Sequence, residues 1–472
     1  MEAERQAVVV GAGPAGLSCA WRLMQAGIDV EVLEAQATAG GNVQTMEVDG
    51  FRLEGGPHTF MPSADAIVEV AREAGLADKM TASLPAAKKR FIVRQGRMRV
   101  VFGGPLSFLA SRLLSFRGKL RLLQEPFRTR QRGDPTDTAE RFFVRRFGPE
   151  AARVLAGAFI SGVYAGDISR LSAPAAFPLF WRFEQEHGSM IRGAMKHRRQ
   201  RRAELAAAGR KPLPVKGLLS FSGGLGTLTA TLAAKLGPRL HLDTPVRGLA
   251  RQAGGWRVEH AGGSLDCRAL VLAVPPGPAA SLLEPLDAEA AGAVTAVPMA
   301  PVAVVHLGFE RRCAEIPDGF GFLAPRGQGV RSLGVLFPSR LFADRTPPGG
   351  ELLTAFIGGV HDAGALALDD GPLADIALAD LRTLTGLGRE PALVQVRRYP
   401  EAIPQLVCGH LERMELLRQR LHDLPGLLLA GNYLQGVGLK DAVASGVAAA
   451  REVAVYLQQR GGGEGERDHG DC

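Results

Sequence analysis

The stretch from residue 6 to residue 34, QAVVVGAGPAGLSCAWRLMQAGIDVEVLE, decides the fold of this chain. Two short apolar runs, Gln6–Val10 and Ile28–Leu33, enclose a glycine-rich loop and an amphipathic segment that closes at Gly27. This order predicts a strand, a loop, a helix and a second strand. Such a unit opens the parallel sheet of a Rossmann-like α/β domain, and its glycine loop binds a dinucleotide.

The glycine spacing of that loop suits the approach of a pyrophosphate. Gly11 permits a tight turn, Gly13 lets the backbone come close to the phosphates, and Gly16 lets the helix pack against the strand. The helix N-terminus adds free N–H groups and a positive dipole end. Glu34 lies about twenty residues beyond the loop, where a carboxylate can bind a ribose hydroxyl. The cofactor contacts predicted in this unit are Gly11, Gly13, Pro14, Ala15, Gly16, Glu34 and Ala35.

A second glycine unit lies near the C-terminus. The apolar run Leu427–Ala430 precedes GNYLQGVG at residues 431–438, and an Ala/Gly-rich helix is predicted over Asp441–Leu457. A flavin needs two phosphate-side contacts and a separate backbone bed for its ring, so two units favour FAD over NAD. The further cofactor contacts predicted are Gly40, Gly41, Asn42, Gly55, Gly56, Pro57, His58, Val246, Ala273, Gly431, Asn432, Val437, Gly438 and Leu439.

The composition predicts a folded protein with more than one domain. Hydrophobic residues make up 46% and charged residues 22% of the 472 positions, which excludes a mainly disordered chain. Much of the net charge of +8 is concentrated in two segments, 112–132 and 192–211. A basic surface can meet nucleic acid, an anionic membrane or an acidic substrate. Because no nucleic-acid motif is present, we expect a membrane or substrate contact and no nucleic-acid partner.

The cysteines and the N-terminus bear on the compartment. The five cysteines lack the paired spacing of a zinc or redox motif, so we expect no metal site and a reducing environment. No signal peptide is expected, and no uncharged apolar run approaches the ~20 residues that span a bilayer. These features predict a cytoplasmic protein, and the glycine-rich, charged tail 461–472 is predicted to be disordered.

The apolar runs and glycine loops divide the chain into a discontinuous domain with two insertions. The dinucleotide-binding parts are predicted at residues 1–87, 215–296 and 397–460. The first insertion, 88–214, is mostly helical by pattern. The second insertion, 297–396, alternates strand-like runs with turns, which is typical of an antiparallel sheet.

A mixed apolar and basic stretch, Pro105–Leu123, stands out in the helical insertion. Its apolar residues recur at helical spacing, with Arg112, Arg117, Lys119 and Arg121 between them. This pattern fits a helix in a membrane interface, with its cationic groups near anionic lipid. It fits equally well a core helix with one solvated basic face, and the pattern alone leaves both interpretations open.

Beyond the glycine loops, stretches over nearly the whole chain resemble the protoporphyrinogen oxidases of the FAD-dependent amine-oxidase superfamily. The most specific are GVYAGD at residues 162–167 and IPQ at 403–405, followed by Gly409-His410. The resemblance implies an oxygen-dependent bacterial member with non-covalent FAD. It also implies a Rossmann-like FAD-binding domain, an antiparallel-sheet substrate domain and an inserted helical membrane-binding domain.

The resemblance assigns residues to a substrate slot. Arg90 matches a propionate-binding arginine, although the pattern alone makes it one member of the solvated basic run 88–90. Gly162 matches a position whose backbone faces the reacting part of the ring. The predicted substrate contacts are Arg90, Phe159, Gly162, Phe320, Gly321, Leu323, Leu333 and Phe356. No catalytic acid or base stands out, and none is assigned.

The implied reaction is the six-electron oxidation of protoporphyrinogen IX to protoporphyrin IX in heme biosynthesis, with oxygen as oxidant and hydrogen peroxide as by-product. A hydride passes from a meso carbon to flavin N5, so the protein mainly orients the substrate and excludes water. The nearest alternative is coproporphyrinogen III oxidation on the same fold. More distant alternatives are an amine or carotenoid oxidase and a non-catalytic membrane protein with a structural flavin. The implied location is peripheral, on the inner face of the cell membrane, and a homodimer is left open.

The chain departs from the family pattern at four positions. Arginine, tyrosine and cysteine are usual where this chain has Asn42, Leu406 and Ala442. None of these changes removes a phosphate or ring contact that we consider essential. His58 replaces a smaller polar residue near the expected ring end of FAD, and we interpret it as structural.

Overall fold

Two seven-stranded sheets organise the computed structural model, in which residues 5–128, 133–207 and 217–464 are described. The strands are β1 (Arg5–Val10), β2 (Val30–Leu33), β3 (Thr45–Val48), β4 (Phe51–Glu54), β5 (Met80–Ala82), β6 (Phe91–Arg94), β7 (Arg97–Val100), β8 (Leu219–Phe221), β9 (Leu240–His241), β10 (Val246–Arg251), β11 (Trp256–His260), β12 (Gly263–Leu272), β13 (Met299–Phe309), β14 (Gly321–Leu323), β15 (Gly334–Leu336), β16 (Glu351–Gly358), β17 (Leu393–Pro404) and β18 (Leu427–Leu429). The helices are α1 (Pro14–Gln25), α2 (Asp65–Glu73), α3 (Pro105–Ala110), α4 (Phe116–Leu123), α5 (Ala139–Phe147), α6 (Pro149–Ala151), α7 (Gly157–Phe159), α8 (Ala173–Ala176), α9 (Pro178–His187), α10 (Met190–Ala207), α11 (Gly226–Leu236), α12 (Pro276–Leu283), α13 (Ala288–Thr295), α14 (Pro338–Leu341), α15 (Asp370–Thr385), α16 (His410–His422) and α17 (Leu439–Glu464).

The first sheet contains the predicted dinucleotide-binding unit. Its strand order is β10-β11-β12-β1-β2-β9, with β18 also paired to β12. β1 is parallel to both β2 and β12, as expected for strands joined by helical crossovers. Along β1, Ala7 and Val9 share a core with α1, α11 and α17, whereas Val8 and Val10 share one with α12 and α13. Since both faces of the sheet are covered, the strand is apolar at consecutive positions.

The two ends of the chain meet where α1 packs against α17. A Cβ built at Gly446 of α17 would lie 2.0 Å from the carbonyl oxygen of Ala15 in α1. Only glycine permits so close an approach of two helix backbones. The Ala/Gly-rich composition of α17 therefore serves to bring the C-terminal glycine unit next to the N-terminal one.

The second sheet has the strand order β17-β13-β16-β15-β14-β6-β7. One face packs against α15 through a core that includes Ala303, Phe322 and Ala355. Neighbouring residues along these strands point to the opposite face, because side chains alternate across a sheet. The second sheet therefore has a closed face under α15 and a second face, which we call its inner face.

The inner face carries several of the side chains that are predicted to line the substrate slot. In the strand register His306 lies opposite Thr354, and Gly334 lies opposite both Leu323 and Phe356. Four strands, β13, β14, β15 and β16, thus contribute to one surface. Its polar end is at His306 and its apolar end is at Leu323.

The boundaries of the insertions differ from those expected from the sequence. β6 and β7 fall within the segment 88–214, which was expected to be mostly helical, but they join the second sheet because Phe91 and Val93 alternate into its core. β17 carries that sheet to Pro404, beyond residue 396, because it stays paired with β13 as far as Met299. The tail predicted to be disordered lies outside the described residues from 465 onward, and its first four residues continue α17.

The helical part of the first insertion runs from α3 to α10. Two of its turns are π-helical, Ala152–Ala156 and Ile160–Tyr164, and Ala165 follows in the left-handed conformation with a φ of +48°. π-helical turns are rare in proteins as a whole, and those that do occur often lie at functional sites. None of the helices in the described ranges is long and apolar enough to cross a membrane.

Candidate functional site

The N-terminal glycine loop is shaped by contacts that leave little room for side chains. Gly11 has a φ of +100°, which favours glycine, and a Cβ at Gly16 would lie 1.9 Å from the Gly11 carbonyl oxygen. Gly13, the N-cap residue before Pro14, is different, because a Cβ there would meet no atom of the described residues within 4 Å. Open space beside the N-terminus of α1 is what a bound phosphate requires.

The carboxylate of Glu34 is held beside this loop. One of its oxygens accepts a hydrogen bond from the N–H of Ala12 at 2.6 Å, and the other accepts one from the N–H of Gln36 at 2.9 Å. Ala35, which lies between Glu34 and Gln36 in the chain, is exposed. Each carboxylate oxygen has more than one acceptor site, so Glu34 can still bind a ribose hydroxyl.

The predicted pair Gly40-Gly41 closes against the same loop. The N–H of Gly40 donates to the carbonyl of Ala12 at 2.8 Å, and a Cβ at Gly41 would lie 3.4 Å from the Cα of Gly13. Both glycines have positive φ, +111° and +54°. The structure therefore brings this pair to the open space at the start of α1.

The segment Gly55–His58 continues this backbone surface. The N–H of Gly55 donates to the carbonyl of Gln44 at 2.7 Å. A Cβ at Gly56 would lie 2.7 Å from the carbonyl oxygen of Asn42, so these two backbones are in contact. His58 follows Pro57, and its ring contacts that of Phe356 in the second sheet. A strip of backbone thus leads from the N-terminal glycine loop to His58.

The C-terminal glycine loop ends at the start of α17. Asp441 caps it, since its Oδ2 accepts hydrogen bonds from the N–H groups of Val437 at 3.1 Å and Gly438 at 3.0 Å. The side-chain amide of Asn432 donates to the carbonyl of Val437 at 3.0 Å. The loop is therefore ordered by its own side chains before the helix begins at Leu439.

The remaining predicted cofactor positions lie at the edge of the first sheet. Ala273 follows β12 and packs against the N-terminal loop. The N–H of Thr244 donates to the carbonyl of Glu34 at 2.7 Å, which places Val246, at the start of β10, near that carboxylate residue. Gly431 donates its N–H to the hydroxyl of Ser445 at 3.0 Å. The predicted positions thus surround one region, between the two glycine loops.

His58 lies at the junction between this region and the inner face of the second sheet. The centroid of its ring is 6.0 Å from that of Phe356, in an edge-on arrangement, and 6.5 Å from that of His306. Among the described residues, neither Nε2 of His58 nor Nε2 of His306 has a hydrogen-bond partner, and both atoms are buried. Burial lowers the pKa of both imidazoles, to about 4 for His306, so both are neutral near pH 7. Buried polar atoms of this kind fit a ligand that supplies the missing partner.

Glu54 is the acidic member of the same junction. Its carboxylate accepts hydrogen bonds from the Thr45 hydroxyl at 2.7 Å and the Leu225 N–H at 2.9 Å, and it lies 3.6 Å from a guanidinium nitrogen of Arg345. Burial raises the pKa of Glu54 to about 7, against the lowering effect of Arg345 and of these hydrogen bonds. Neither Glu54 nor His306 was among the site residues predicted from the sequence. The one available signal was an ionisable side chain within a short strand.

The predicted slot residues meet between the inner face and the second π-helical turn. A Cβ at Gly162 would lie 2.3 Å from the Cδ2 atom of Leu323, so the turn and the strand are in direct contact. The N–H of Leu333 donates to the carbonyl of Phe356 at 2.8 Å, and the two side chains share one apolar cluster. Phe159 precedes the turn and is 45% exposed. These residues form an apolar boundary that begins next to His58.

Arg90, Phe320 and Gly321 lie at the other end of β14. The guanidinium carbon of Arg90 is 5.3 Å from the centroid of the Phe320 ring, and Arg90 is exposed. Phe320 packs in a separate small cluster with Ala87. A Cβ at Gly321 would lie 2.1 Å from the carbonyl oxygen of Val335, so strand pairing alone accounts for this glycine.

The fold and the two glycine loops agree with the protein family to which comparison with known sequences assigns this chain. The chain belongs to the family of flavin-containing amine oxidoreductases, whose sequence profile matches residues 14–454. The chloroplastic protoporphyrinogen oxidase of Nicotiana tabacum is 35% identical over 478 residues, covering 97% of this chain and 87% of that protein. The coproporphyrinogen III oxidase of Bacillus subtilis (strain 168) is 27% identical over 474 residues, covering 97% and 99% respectively.

Solved structures show the same fold at lower identity. A protein from Exiguobacterium sp. 255-15 that carries a provisional protoporphyrinogen oxidase name superposes with a TM-score of 0.79 at 23% identity, over 97% of this chain and 99% of that chain. Cyclohexylamine oxidase from Brevibacterium oxydans IH-35A superposes with a TM-score of 0.70 at 17% identity, over 97% and 100%. The expected mixed α/β flavoprotein fold is therefore confirmed, and the chain is an FAD-dependent oxidase.

Proposed function

We propose that this enzyme oxidises a porphyrinogen to the corresponding porphyrin in heme biosynthesis, with protoporphyrinogen IX as substrate and oxygen as the final electron acceptor. The observation that carries the proposal is the likeness to the tobacco protoporphyrinogen oxidase along 97% of the chain. The apolar slot beside the cofactor loops supports it, because a porphyrinogen is a large apolar ring that must lie against the oxidant.

The residues of the two glycine loops fit FAD. Open space at Gly13 and the N-terminus of α1 suit the pyrophosphate, and Glu34 suits the ribose. The backbone strip Gly40–His58 suits the part of the cofactor that extends toward the slot. The unpartnered Nε2 of His58 is a candidate donor or acceptor for a polar group there. The flavin, when bound, accepts the hydride, and the chain itself supplies binding and orientation.

The slot residues have separate tasks in this proposal. Leu333 and Phe356 hold the apolar ring next to His58, and Gly162 with Phe159 covers it from the helical insertion. Arg90 binds a propionate at the open end of the slot, since a guanidinium pairs with a carboxylate through two hydrogen bonds. Enclosing the ring in this way excludes water and fixes one face toward the oxidant.

Aerobic product analysis tests the reaction. Purified enzyme is given protoporphyrinogen IX, and the porphyrin and hydrogen peroxide that form are both quantified. Six-electron oxidation predicts three peroxides for each porphyrin above the rate of spontaneous oxidation. A porphyrin yield equal to that of heat-inactivated enzyme would reject the proposal.

Coproporphyrinogen III is the second candidate substrate. It is favoured by the likeness to the Bacillus subtilis coproporphyrinogen III oxidase, which covers 99% of that protein. Both substrates present a similar ring and differ in the number of carboxylates, so the fold and the slot accommodate either one. A comparison of kcat/KM for the two porphyrinogens under the same conditions decides between them.

We also propose that the helical insertion docks on the inner face of an anionic membrane. The stretch Pro105–Leu123 folds as two helices, α3 and α4, and part of its apolar surface faces solvent. Leu106 is 84% exposed, Phe116 is 80% exposed and Phe127, just beyond α4, is 82% exposed. Large apolar side chains clustered at a surface indicate an interaction site.

The cationic residues of this stretch are not equivalent. Arg112 and Arg117 are exposed and can face anionic lipid. Lys119 donates to the carbonyl of Leu109 at 2.6 Å, and Arg121 packs its aliphatic part against Gly148. The membrane role therefore rests on the first two arginines together with the exposed apolar side chains.

Vesicle co-sedimentation tests the docking surface. Charge reversal at Arg112 and Arg117, and separately replacement of Phe116 and Phe127 by serine, should each reduce binding to anionic vesicles. Raising the salt concentration should weaken the electrostatic contribution to vesicle binding. Arg418→Glu is the control for charge reversal outside the proposed docking surface, because Arg418 lies on α16 and its side chain is 72% exposed. Unchanged sedimentation of both test variants would reject this surface as the anchor.

A further inference from the structure

A groove of about 180 Å³ adjoins the slot at the end of β14 and is not used by the proposed function. It lies where β14 and β16 end and β15 begins, against the second π-helical turn. Ser161, Leu333 and Gly358 line the groove, and Leu333 also belongs to the apolar cluster of the slot. The ionisable residues around it are Arg326, Arg331, His361 and Asp362.

The two arginines of the groove differ in their partners. Arg331 is neutralised by Asp362 through two hydrogen bonds, of 2.7 and 3.0 Å. Arg326 has no carboxylate within 4.0 Å among the described residues. Its only hydrogen-bond partner there is Nε2 of His361 at 3.3 Å, which must accept because a guanidinium only donates. Arg326 is therefore a cation with donors to spare.

Asp167 is the acid beside His361, and hydrogen bonds from Ser169 lower its pKa against the effect of burial, with smaller contributions from His361 and Arg326. Asp167 lies 3.5 Å from Nε2 of His361, and its Oδ1 accepts two hydrogen bonds from Ser169, of 2.8 and 2.7 Å. Partial burial and Arg326 lower the pKa of His361, so the imidazole is neutral near pH 7 and positions the guanidinium without competing for an anion.

Arg326 and the proposed propionate anchor Arg90 lie at opposite ends of the slot. β6 runs parallel to β14 with Phe91 opposite Phe322, which places Arg90 level with Gly321. Arg326 lies five residues further along (321 to 326), beyond the end of β14 at Leu323, so the backbone advances by at most roughly 16 Å at the rise of an extended strand. A ligand that contacts both arginines needs carboxylates on opposite edges.

We propose that this groove is a second carboxylate subsite, in which Arg326 binds a propionate on the substrate edge opposite Arg90. The inference rests on the proposed function, because the carboxylates belong to the porphyrinogen. Coproporphyrinogen III carries a propionate on each of its four pyrrole rings, whereas protoporphyrinogen IX has vinyl groups in place of two of them. The subsite therefore favours the tetracarboxylate and determines how strongly the enzyme discriminates between the two.

Binding of the two porphyrin products to holoenzyme tests the subsite without relying on turnover. Coproporphyrin III and protoporphyrin IX are titrated, with fluorescence as readout, into wild type, Arg326→Gln, Arg326→Lys and Arg97→Gln. Arg97, an exposed arginine at the start of β7, is the matched control. Arg326→Gln should weaken coproporphyrin binding about tenfold, as expected for one lost charge-assisted contact, and change protoporphyrin binding less than about twofold. Arg326→Lys should recover most of the loss.

The outcomes separate this inference from the function on which it rests. If wild type binds both porphyrins and Arg326→Gln binds them as wild type does, the subsite is rejected and the proposed function stands. An equal loss for both porphyrins, or the same loss in Arg97→Gln, also rejects it. If wild type binds neither porphyrin, both the subsite and the proposed function are overturned.

Discussion

The cofactor loop and the substrate slot each contain a glycine without room for a Cβ, but the atoms around the two glycines differ. At Gly16 the nearest atom is a backbone carbonyl oxygen, 1.9 Å from the Cβ position. At Gly162 it is the end of the Leu323 side chain, at 2.3 Å. A backbone atom between a paired strand and a helix cannot move without disrupting both, whereas a leucine can change rotamer. The loop is therefore a fixed part of the site, and the slot is an adjustable one.

The largest effect is expected from Gly16→Ala. The added methyl group would force α1 away from β1, so we expect flavin content to fall about tenfold or more and the thermal midpoint to drop. Gly13→Ala is the matched control for the fold, because its methyl group enters open space. After removal of the flavin, Gly13→Ala should have the same thermal midpoint as wild type. Absorbance at the flavin band measures the flavin content, and circular dichroism measures the thermal midpoint. A fully flavin-loaded Gly16→Ala protein would show that the loop is less rigid than its contacts indicate.

Arg90→Ala should have the next largest effect, and on the slot alone. Because Arg90 is exposed, water replaces part of the lost contact, so KM for a propionate-bearing porphyrinogen should rise about tenfold with unchanged flavin content. Lys88→Ala in the same basic run is the control. Equal effects of the two substitutions on KM would assign Arg90 to a general basic surface.

Gly162→Ala tests whether the slot adjusts. The methyl group meets a movable side chain, so we expect full flavin content and an increase in KM of about threefold. Leu323→Ala in the same chain should recover part of that increase, because it removes the atoms in contact. Loss of flavin from Gly162→Ala, or no recovery in the double variant, would place this turn with the fixed part of the site.

The smallest effect expected is a pH dependence at the junction of the two regions. Burial lowers the pKa of His306 from 6.5 to about 4. Below pH 6.5 the unfolded chain takes up a proton that the folded protein does not, so this stabilisation is present above pH 6.5 and is lost as the pH falls toward 4. His306→Gln removes this dependence. The difference in thermal midpoint between wild type and variant should shrink by a few degrees from pH 7 to pH 5, and a constant difference would contradict the assignment.

The cofactor loops could be predicted from the sequence because each is a local motif. Gly11, Gly13 and Gly16 fall where the spacing placed them, and α17 begins within two residues of the predicted start. Local strand and helix patterns determine such units, and their ligand contacts come from consecutive backbone groups. This is why a stretch of fewer than 30 residues was enough to predict the class of cofactor.

The slot and the junction could be predicted only in part, because they are built by long-range pairing. The resemblance assigned both Leu333 and Phe356 to the slot, and the backbones of these two residues are hydrogen-bonded, but no local pattern shows that β6 joins the second sheet. His306 lies beside the backbone of Glu54, some 250 residues away in sequence, and nothing local to either strand indicates that the two residues meet. Strand pairing depends on tertiary context more than on local propensity.

Anaerobic reduction of the flavin is the most direct test of the central claim, that the loops and the slot together bring a porphyrinogen to FAD. The oxidised holoenzyme is mixed with protoporphyrinogen IX, and separately with coproporphyrinogen III, in the absence of oxygen. We expect the flavin absorbance to be lost within the time of turnover and to return when oxygen is admitted, with porphyrin as product. A flavin spectrum that stays oxidised with both substrates would show that the enzyme does not bring either porphyrinogen to FAD.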